Sequence, residues 1–289
     1  MKPPRFEYEA PLTLQEALQR LAEFGEDARA LAGGQSLVPA MNLRLANPGR
    51  LIDLGRIPAL RGLEVRPDGS VVAGAMTRHA DFERSLLLRE SMPLIPAVMT
   101  RVAHQQVRNR GTIGGSLAHA DPAAEWSALC LLLDASIVVA SREGERRIRS
   151  ADFSQGVYST ALAPAELITR IKFPAWPKKR RWGFDEVSRR LGDFAITGAM
   201  CWFDLDAQQR CEAARLVVFA AAEKPVLIEA AQQLLGQPLT AQTVAPVAEA
   251  AVQAISPLSD QHASADYRRQ LVRVLTARVL QQAAGSATP

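Results

Sequence analysis

Apolar residues in the first 174 positions alternate between short continuous runs and helical spacing. Short apolar runs bounded by glycine, proline or polar residues predict β-strands, and apolar residues three and four apart predict amphipathic helices. Strands are predicted at residues 6–8, 28–32, 50–54, 60–65, 70–73, 136–140, 146–148 and 167–173. Helices are predicted at residues 14–24, 37–45, 91–101 and 123–133.

Two of these helices carry start signals. Thr13 and Glu16 have the spacing of a capping box before the first helix. Asp121 and Pro122 have N-cap and N1 character before the helix at 123–133, which would place Glu125 in its first turn.

After a proline-rich break the pattern changes to strands followed by helices, which predicts a second α+β module. Strands are predicted at residues 182–187, 195–205 and 214–221, and helices at 226–235, 241–254 and 264–282. Residues 174–177 are predicted to separate a first domain at 1–174, with subdomains of about 1–55 and 56–174, from a second at 175–289. Residues 285–289 are expected to be disordered.

Composition fits two globular domains and excludes several classes of function. The chain has 289 residues, of which 48% are hydrophobic, so sizeable cores can form. Thirty-four Lys and Arg against thirty Asp and Glu leave a net charge of only +4, which gives little support to nucleic-acid binding. No run approaches the roughly 18 apolar residues of a membrane span, and the N-terminus lacks an apolar signal segment. We expect a cytoplasmic protein with no membrane span.

Candidate chemistry begins with a glycine-rich stretch at residues 108–122. Gly111, Gly114 and Gly115 tolerate positive φ and place no Cβ beside their amides, so consecutive N–H groups could form a concavity that favours an anion. An ordinary glycine loop between packed elements is the alternative.

A second glycine stretch, at residues 31–37, has the order strand, glycine turn, helix start. Ser36 is a candidate N-cap, and the free amides beside it could face a pyrophosphate. Neither stretch has the pattern of a P-loop or of a Rossmann crossing. Together they predict a dinucleotide held by backbone amides outside both of those folds.

These stretches resemble the flavoprotein (medium) subunit of molybdenum hydroxylases, a family that includes carbon monoxide, xanthine, nicotine and caffeine dehydrogenases. The resemblance is carried by six ordered motifs over essentially the whole chain: 32–37, 51–54, 73–77, 108–122, 158–164 and 184–195. The sequence departs from the family at Gln35, where carbon monoxide dehydrogenases usually have histidine, and at Ser116, where asparagine is frequent. These departures weaken a carbon monoxide assignment.

The resemblance implies a two-subdomain FAD-binding domain of the vanillyl-alcohol-oxidase/PCMH type, followed by a smaller α+β domain. The residues that it implies for FAD binding are Ala32, Gly33, Gly34, Gln35, Ser36, Leu37, Gly111, Thr112, Ile113, Gly114, Gly115, Ser116, Glu125 and Ile168. Glu125 matches an acidic position that meets a sugar hydroxyl, although simple compensation of the helix dipole is an equal alternative.

Three charged features in the second domain have open roles. Asp185 stands where relatives often carry a lysine near the flavin, and we assign it no role. The arginines and aspartate of the 189–193 motif could form an ion-paired turn beside the flavin or a purely structural pair. The four basic residues at 178–181 are either a solvated loop or a docking patch for an acidic partner.

The cysteines and histidines give no sign of a metal centre or disulfide framework. The cysteines are Cys130, Cys201 and Cys211. The histidines are His79, His104, His119 and His262. Neither set has the spacing of a zinc site, and three cysteines cannot build a four-thiolate iron–sulfur cluster. A one-electron relay to a flavin would therefore come from another chain.

The leading hypothesis is the FAD-carrying electron-transfer subunit of a heteromeric molybdenum hydroxylase. The resemblance implies a small subunit with [2Fe–2S] clusters and a large molybdopterin subunit, as a dimer of heterotrimers. No catalytic residue is assigned in this chain. The alternatives are a self-sufficient FAD oxidoreductase of the same fold and an assembly module without a cofactor. The sequence identifies neither the substrate nor the electron acceptor.

Overall fold

The computed structural model describes residues 2–285. The strands are β1 (Glu7–Glu9), β2 (Ala28–Leu31), β3 (Arg50–Asp53), β4 (Leu63–Val65), β5 (Val71–Gly74), β6 (Ser136–Ser141), β7 (Gly144–Arg149), β8 (Ser154–Gly156), β9 (Ser159–Thr160), β10 (Leu167–Phe173), β11 (Arg181–Val187), β12 (Thr197–Leu205), β13 (Cys211–Phe219) and β14 (Val226–Leu227). The helices are α1 (Leu14–Phe24), α2 (Leu37–Asn42), α3 (His79–Arg84), α4 (Leu86–Ser91), α5 (Leu94–Met99), α6 (Gln105–Arg108), α7 (Ile113–His119), α8 (Glu125–Leu132), α9 (Ser150–Phe153), α10 (Ala241–Gln253) and α11 (Ala265–Gly285).

The chain begins with a three-stranded parallel sheet of order β1-β3-β2, covered by α1. Thr13 caps α1 by accepting a hydrogen bond from the Glu16 amide at 3.2 Å. The Glu16 carboxylate accepts from the Leu12 amide, one residue before the position that a capping box requires. The predicted cap is thus formed in part, and α1 buries its apolar face on the sheet.

A five-stranded antiparallel sheet of order β4-β5-β10-β6-β7 forms the centre of the first domain. Alternate residues of its inner strands, such as Ile137 and Val139 on β6 and Ile171 on β10, are buried in the core that α5 and α8 also line. Val138 and Ala140 on the opposite face of β6 are buried too, and Ala140 packs in the core that α1 lines, so both faces of the inner strands are covered. The sheet and its helices hold α7 and α8 in place.

The second domain is a four-stranded antiparallel sheet of order β11-β12-β13-β14 with α10 and α11 on one face. Its other face packs on the first domain. Met200, Trp202 and Phe219 from β12 and β13 lie in the same hydrophobic core as Trp126 of α8. The two domains therefore share one core.

Several predicted elements differ from the structure. Residues 226–235 form a two-residue strand and a 3₁₀ helix, because Val226 and Leu227 pair with β13 instead of starting a helix. Helix α2 ends at Asn42, since Arg44 adopts a left-handed conformation at φ 61°. The helix predicted at 91–101 is confined to α5.

The structure also differs from the predictions at the start of α8 and at the end of α11. The N-cap of α8 is Ala124 and not Asp121, which instead accepts from the Ala123 amide at 2.8 Å. Gly285 ends α11, and residues 286–289 of the tail that was expected to be disordered lie outside the described part of the chain. Between positions 2 and 285, no helix combines the length and apolarity needed to cross a bilayer. The domain boundaries at 55 and 174 stay a prediction.

Candidate functional site

The two glycine stretches lie in direct contact. A Cβ on Gly33 would overlap the carbonyl oxygen of Arg110 and lie 2.7 Å from Cα of Gly111. A Cβ on Gly115 would lie 3.2 Å from Cβ of Ala32. Only glycine permits this approach of backbone to backbone. The structure thus brings together residues 32–37 and 111–116, as the prediction of one site requires.

The glycine stretch near the N-terminus, at residues 33–37, has five consecutive amides without an acceptor within residues 2–285. None of these five N–H groups donates a hydrogen bond to any residue in the described range 2–285. Gly34 adopts a positive φ of 72°, which turns the chain between β2 and α2. Successive unsatisfied amides in such a turn make an anion-binding concavity. We call residues 33–37 the open loop.

Side chains of the open loop support the same role. The Gln35 amide folds back to donate to the Gly33 carbonyl at 3.0 Å, so it stabilises the turn. Ser36 stands at the N-cap of α2 without a side-chain cap bond, and its half-buried hydroxyl has no hydrogen-bond partner within residues 2–285. Leu37 is the first, half-buried residue of α2.

The stretch at residues 111–116 differs from residues 33–37 in the state of its amides. Five of its six amides donate to protein oxygens. They donate from Gly111 to Val107 O at 2.7 Å, from Ile113 to Thr77 O at 3.1 Å, from Gly114 to Ala75 O at 2.8 Å, from Gly115 to Thr112 Oγ1 at 3.1 Å, and from Ser116 to Thr112 O at 3.0 Å. These five amides cannot donate to an anion without breaking those bonds, whereas the Thr112 amide has no acceptor within residues 2–285. We call residues 111–116 the closed loop.

The glycines of the closed loop serve close packing and not positive φ. Gly111, Gly114 and Gly115 are absent from the glycines with positive φ between residues 2 and 285. A Cβ on Gly114 would lie 2.6 Å from Cβ of Ala75, and one on Gly111 would lie 2.8 Å from the His79 ring. The closed loop therefore needs glycine because helix α7 is pressed onto the neighbouring backbone. A side chain at Gly114 would meet Ala75 and not a phosphate.

His79 connects the closed loop to α8 through two hydrogen bonds. Its amide donates to the Gly111 carbonyl at 3.0 Å, and its Nδ1 accepts from Trp126 Nε1 at 2.9 Å. Burial, together with the Arg108 charge, lowers the pKa of His79 to about 4. The imidazole is therefore neutral at pH 7 and ties α3, the closed loop and α8 together.

Arg108 fixes the turn that leads into the closed loop. Its guanidinium pairs with the Glu83 carboxylate at 2.9 and 3.2 Å and donates to the carbonyls of Val102 at 3.0 Å and Ala103 at 2.6 Å. Ala103 has a left-handed φ of 46°, a conformation that costs an alanine free energy. The Arg108 bonds offset that cost, so this motif arginine has a structural role.

Glu125, the first residue of α8, is 5% exposed. Burial, followed by the charge of Glu186, raises the pKa of its carboxyl well above the usual range. Glu186 on β11 is 6% exposed, and burial raises its pKa as well. Sequence reasoning did not find Glu186. Glu186 shares one face of β11 with Trp182 and Phe184, because side chains alternate along a strand. A carboxyl in line with two aromatic side chains was the sequence feature that could have pointed to it.

Two further predicted contacts differ in accessibility. The Ser116 hydroxyl on α7 is half-buried and has no hydrogen-bond partner in the described chain. The Ile168 side chain on β10 is 5% exposed and belongs to the core of the five-stranded sheet. Ser116 is available to a ligand, whereas the Ile168 side chain is mainly packing.

The ion-paired turn of the 189–193 motif is present. Asp193 pairs with Arg190 at 3.0 Å and with Arg189 at 3.5 Å. A Cβ on Gly192 would lie 2.5 Å from the His104 ring, so the turn packs on the segment before α6. Asp185 faces the other side of β11 and pairs with Arg278 at 2.6 Å.

The basic run at 178–181 is not a free four-charge patch. Arg180 pairs with Asp204 and lies 3.6 Å over the Trp202 ring. Arg181 donates to the Ala284 carbonyl at 2.7 Å. Both arginines are used within the second domain, which weakens the docking interpretation.

Comparison with known proteins identifies the family. A family model described as the FAD binding domain in molybdopterin dehydrogenase matches residues 4–176. The chain belongs to this family of flavoproteins. A second model, described as the CO dehydrogenase flavoprotein C-terminal domain, matches residues 182–283. The chain therefore carries both parts of a molybdopterin dehydrogenase flavoprotein, including its FAD-binding domain.

Similar flavoproteins align over almost their full length. The 6-hydroxypseudooxynicotine dehydrogenase complex subunit alpha of Paenarthrobacter nicotinovorans is 39% identical, with 100% of this chain and 98% of that protein covered. The nicotine 6-hydroxylase medium subunit of the same organism is 37% identical, with 98% and 99% covered. The carbon monoxide dehydrogenase of Hydrogenophaga pseudoflava lacking the Mo-pyranopterin moiety matches with a TM-score of 0.95 and 36% identity, covering 98% of each chain. The two-domain flavoprotein fold is thus shown.

The residues present fit FAD. A pyrophosphate needs several uncharged donors close together, and the open loop offers five free amides. Ribose and ribityl hydroxyls need polar partners, and the hydroxyls of Ser36 and Ser116, unpartnered within residues 2–285, are groups of this kind.

Proposed function

We propose that the chain is the FAD-carrying subunit of a cytoplasmic, heteromeric molybdenum hydroxylase, assembled as a dimer of heterotrimers. In this role FAD supplies the exchange of electrons between [2Fe–2S] clusters on a small partner subunit and an external acceptor. A large partner subunit holds the molybdopterin and binds the organic substrate. This chain contributes no catalytic residue of its own.

The contact between the open and closed loops carries this proposal. The amides of residues 33–37 bind the pyrophosphate, while the hydroxyls of Ser36 and Ser116 and the carboxyl of Glu125 bond the sugar and ribityl groups. Of the closed-loop amides within residues 2–285, only that of Thr112 is free to donate to a phosphate. The hydrogen bonds of the closed loop hold the start of α7 rigidly, so that it supports the open loop, which is in contact with it.

The need for partners is supported by two observations. The three cysteines are separately buried in packed cores, and no cluster of three or more potential metal ligands occurs among residues 2–285. The relatives' names call them a complex subunit and a medium subunit. Iron–sulfur clusters on a partner chain agree with both observations.

Native purification tests the proposal. We expect the chain to co-purify with two further polypeptides, and the complex to contain iron, molybdenum and FAD. A single yellow chain that reduces its flavin with a small organic substrate would support the self-sufficient oxidoreductase instead. A colourless chain that cannot be reconstituted with FAD would contradict the cofactor assignment.

The flavin should be bound noncovalently. All three cysteines are buried, and His79 is occupied by Trp126, so neither is placed to attach to a flavin ring. Acid precipitation of the purified protein should release the yellow colour into the supernatant. Flavin that stays with the denatured chain would contradict this expectation.

A further inference from the structure

Helix α8 lies along the face of the second-domain sheet. At its C-terminal end, Trp202 Nε1 donates to the Leu132 carbonyl at 3.0 Å. At its N-terminal end, the Ala220 amide donates to the carbonyl of Pro122, just before the helix, at 3.1 Å. Both ends of α8 are therefore held by the second domain.

Glu186 lies on the same face of that sheet. In the strand register Glu186 is opposite Gly198, and Gly198 is opposite Phe219, the neighbour of Ala220. Residues directly opposite one another point to the same face of a sheet. Phe219 is part of the shared core, so this face is the one turned toward the first domain.

The spacing along the sheet places Glu186 at the N-terminal end of α8. Trp202 is opposite Trp182, so the row of Glu186 lies four residues farther along β11, or about 13 Å. A helix of eight residues such as α8 is about 12 Å long. Since Trp202 holds the last turn of α8, Glu186 lies beside its first turn, which begins with Glu125.

Both carboxyls are buried at this interface, with 5% and 6% of Glu125 and Glu186 exposed. Oε2 of Glu186 is fully buried and has no hydrogen-bond partner in the described part of the chain. Two carboxylates buried together repel one another and lose their hydration, so one of them retains a proton at neutral pH. The pKa of each carboxyl is raised by burial, and the charge of Glu186 raises that of Glu125 further.

The surrounding charges do not neutralise the pair. Asp121 and Asp185 add negative charge, although Asp185 is paired with Arg278 on the opposite face of β11. The positive charge of Arg101, near the end of α5, lowers the pKa of Glu186 but lies too far away for an ion pair. Within the described residues, no side chain or backbone group therefore provides a hydrogen-bond partner for Oε2 of Glu186, which lies near Glu125, the predicted sugar contact.

We propose that Glu186 joins Glu125 in a two-carboxyl subsite that binds a hydroxyl of FAD with one proton held between the two side chains, so that cofactor binding requires that proton. A hydroxyl both donates and accepts hydrogen bonds. The protonated carboxyl donates to it and the ionised carboxyl accepts from it. Two carboxylates would offer no donor to the hydroxyl. This subsite rests on the proposed FAD function and makes Glu186, from the second domain, a cofactor-binding residue.

The test is the FAD affinity of the flavin-depleted full-length chain as a function of pH, measured by fluorescence titration. The raised pKa values mean that the proton is held at neutral pH and lost as the pH rises. Between about pH 7 and about pH 9, the affinity of the wild type should fall by up to about tenfold per pH unit once the proton leaves. Glu186→Gln keeps a donor that cannot be deprotonated, so its affinity should stay within about threefold of the neutral wild-type value and lose this pH dependence.

Two further variants keep the outcome clear. Glu125→Gln removes the shared proton from the other side of the pair and should also flatten the profile, which covers the case that Glu186→Gln fails to fold. Asp204→Asn changes a carboxyl at the far end of the same sheet, where it pairs with Arg180, and should keep the wild-type slope.

The results separate this inference from the proposed function. Wild-type protein that binds FAD with a flat profile to about pH 9, or a Glu186→Gln variant with the wild-type slope, would overturn the two-carboxyl subsite and leave FAD binding intact. Wild-type protein that binds no FAD at any pH would overturn the proposed function itself. Calorimetry in two buffers of different ionisation enthalpy should show net proton uptake on binding to the wild type at high pH.

Discussion

The open and closed loops look alike in sequence but differ in the state of their amides. Both are short and contain adjacent glycines; the open loop leads into α2, and the closed loop includes the first turn of α7. In the open loop five successive N–H groups are free within residues 2–285, whereas five of the six closed-loop amides donate to protein oxygens. Glycine supplies positive φ in the open loop at Gly34 and close packing in the closed loop at Gly114. Glycine content therefore locates a site without saying which loop binds.

The difference assigns separate tasks to the loops. The open loop can bind an anion because its donors are unpaired. In the closed loop only the Thr112 amide is free within residues 2–285, and the hydrogen bonds to Ala75 and Thr77 make this loop a firm surface against which the open loop rests. Variants in the open loop should affect the ligand first, and variants in the closed loop should affect stability first.

The largest effect should follow from Gly33→Val, where the two loops touch. The side chain would overlap the Arg110 carbonyl and the Gly111 backbone, so the loops would separate. We expect loss of FAD binding and a fall of at least about 3 kcal/mol in the free energy of unfolding, measured by denaturant titration. Gly156→Val is the matched control, because a Cβ there meets nothing closer than 4.0 Å. Equal flavin content in the two variants would show that the contact between the loops is not needed.

The His79 support of the closed loop should make stability depend on pH. The folded-state pKa of about 4 lies below the usual 6.5, so the native state binds fewer protons than the unfolded chain. This contribution is complete above about pH 6.5 and is lost as the pH falls toward about 4. At about 1.4 kcal/mol per pH unit, the loss over this range is about 3 kcal/mol.

The variant His79→Gln, which cannot be protonated, should lose that part of the pH dependence. His262→Gln, at an exposed position, should keep it. Denaturation midpoints of the three proteins between about pH 4 and about pH 7 provide the comparison. If the denaturation midpoint of His79→Gln depended on pH as steeply as that of the wild type, protonation of His79 would not explain the pH dependence of stability.

A smaller effect is expected from Gly114→Ala. Its methyl group would lie 2.6 Å from Cβ of Ala75, so α7 must shift at a cost of about 1–3 kcal/mol in unfolding free energy. The folded fraction should still bind FAD, because no phosphate donor is touched. Chemical unfolding of the purified variant, combined with flavin titration at low temperature, tests this. Complete loss of FAD binding in a stable variant would return the closed loop to the phosphate site.

The smallest effects distinguish Thr112 from Ser36. Thr112→Ala removes the cap on the Gly115 amide and should cost about 1 kcal/mol of stability, with little change in FAD affinity. Ser36→Ala should leave stability within about 0.5 kcal/mol, because that hydroxyl caps nothing, and should weaken FAD binding by about tenfold. The reverse pattern would exchange the roles of the two loops.

The sequence was sufficient to locate both loops but not to assign their roles. Whether the amides of Ile113 and Gly114 are free depends on the carbonyls of Thr77 and Ala75, almost forty residues earlier in the chain. No local pattern encodes that partnership. The family resemblance was informative because it covered the whole chain, including the second domain.

Other errors have the same physical origin. Residues 226–235 have helical spacing, but pairing of Val226 and Leu227 with β13 overrides that preference. Glu186 was missed because its neighbours at the site come from α8, in the other domain. The sequence predicted the helices and strands whose conformation depends on residues nearby in the chain. It did not predict features that depend on contacts between residues far apart in the chain.

The shared core has a consequence for how such chains evolve. Met200, Trp202 and Phe219 of the second domain are packed with Trp126 of the first. A recombination event that exchanged only residues 182–283 for those of a relative would leave poorly matched surfaces around α8. Gene exchange among these flavoproteins is therefore expected to transfer both halves together, so that the two family models mark one heritable unit.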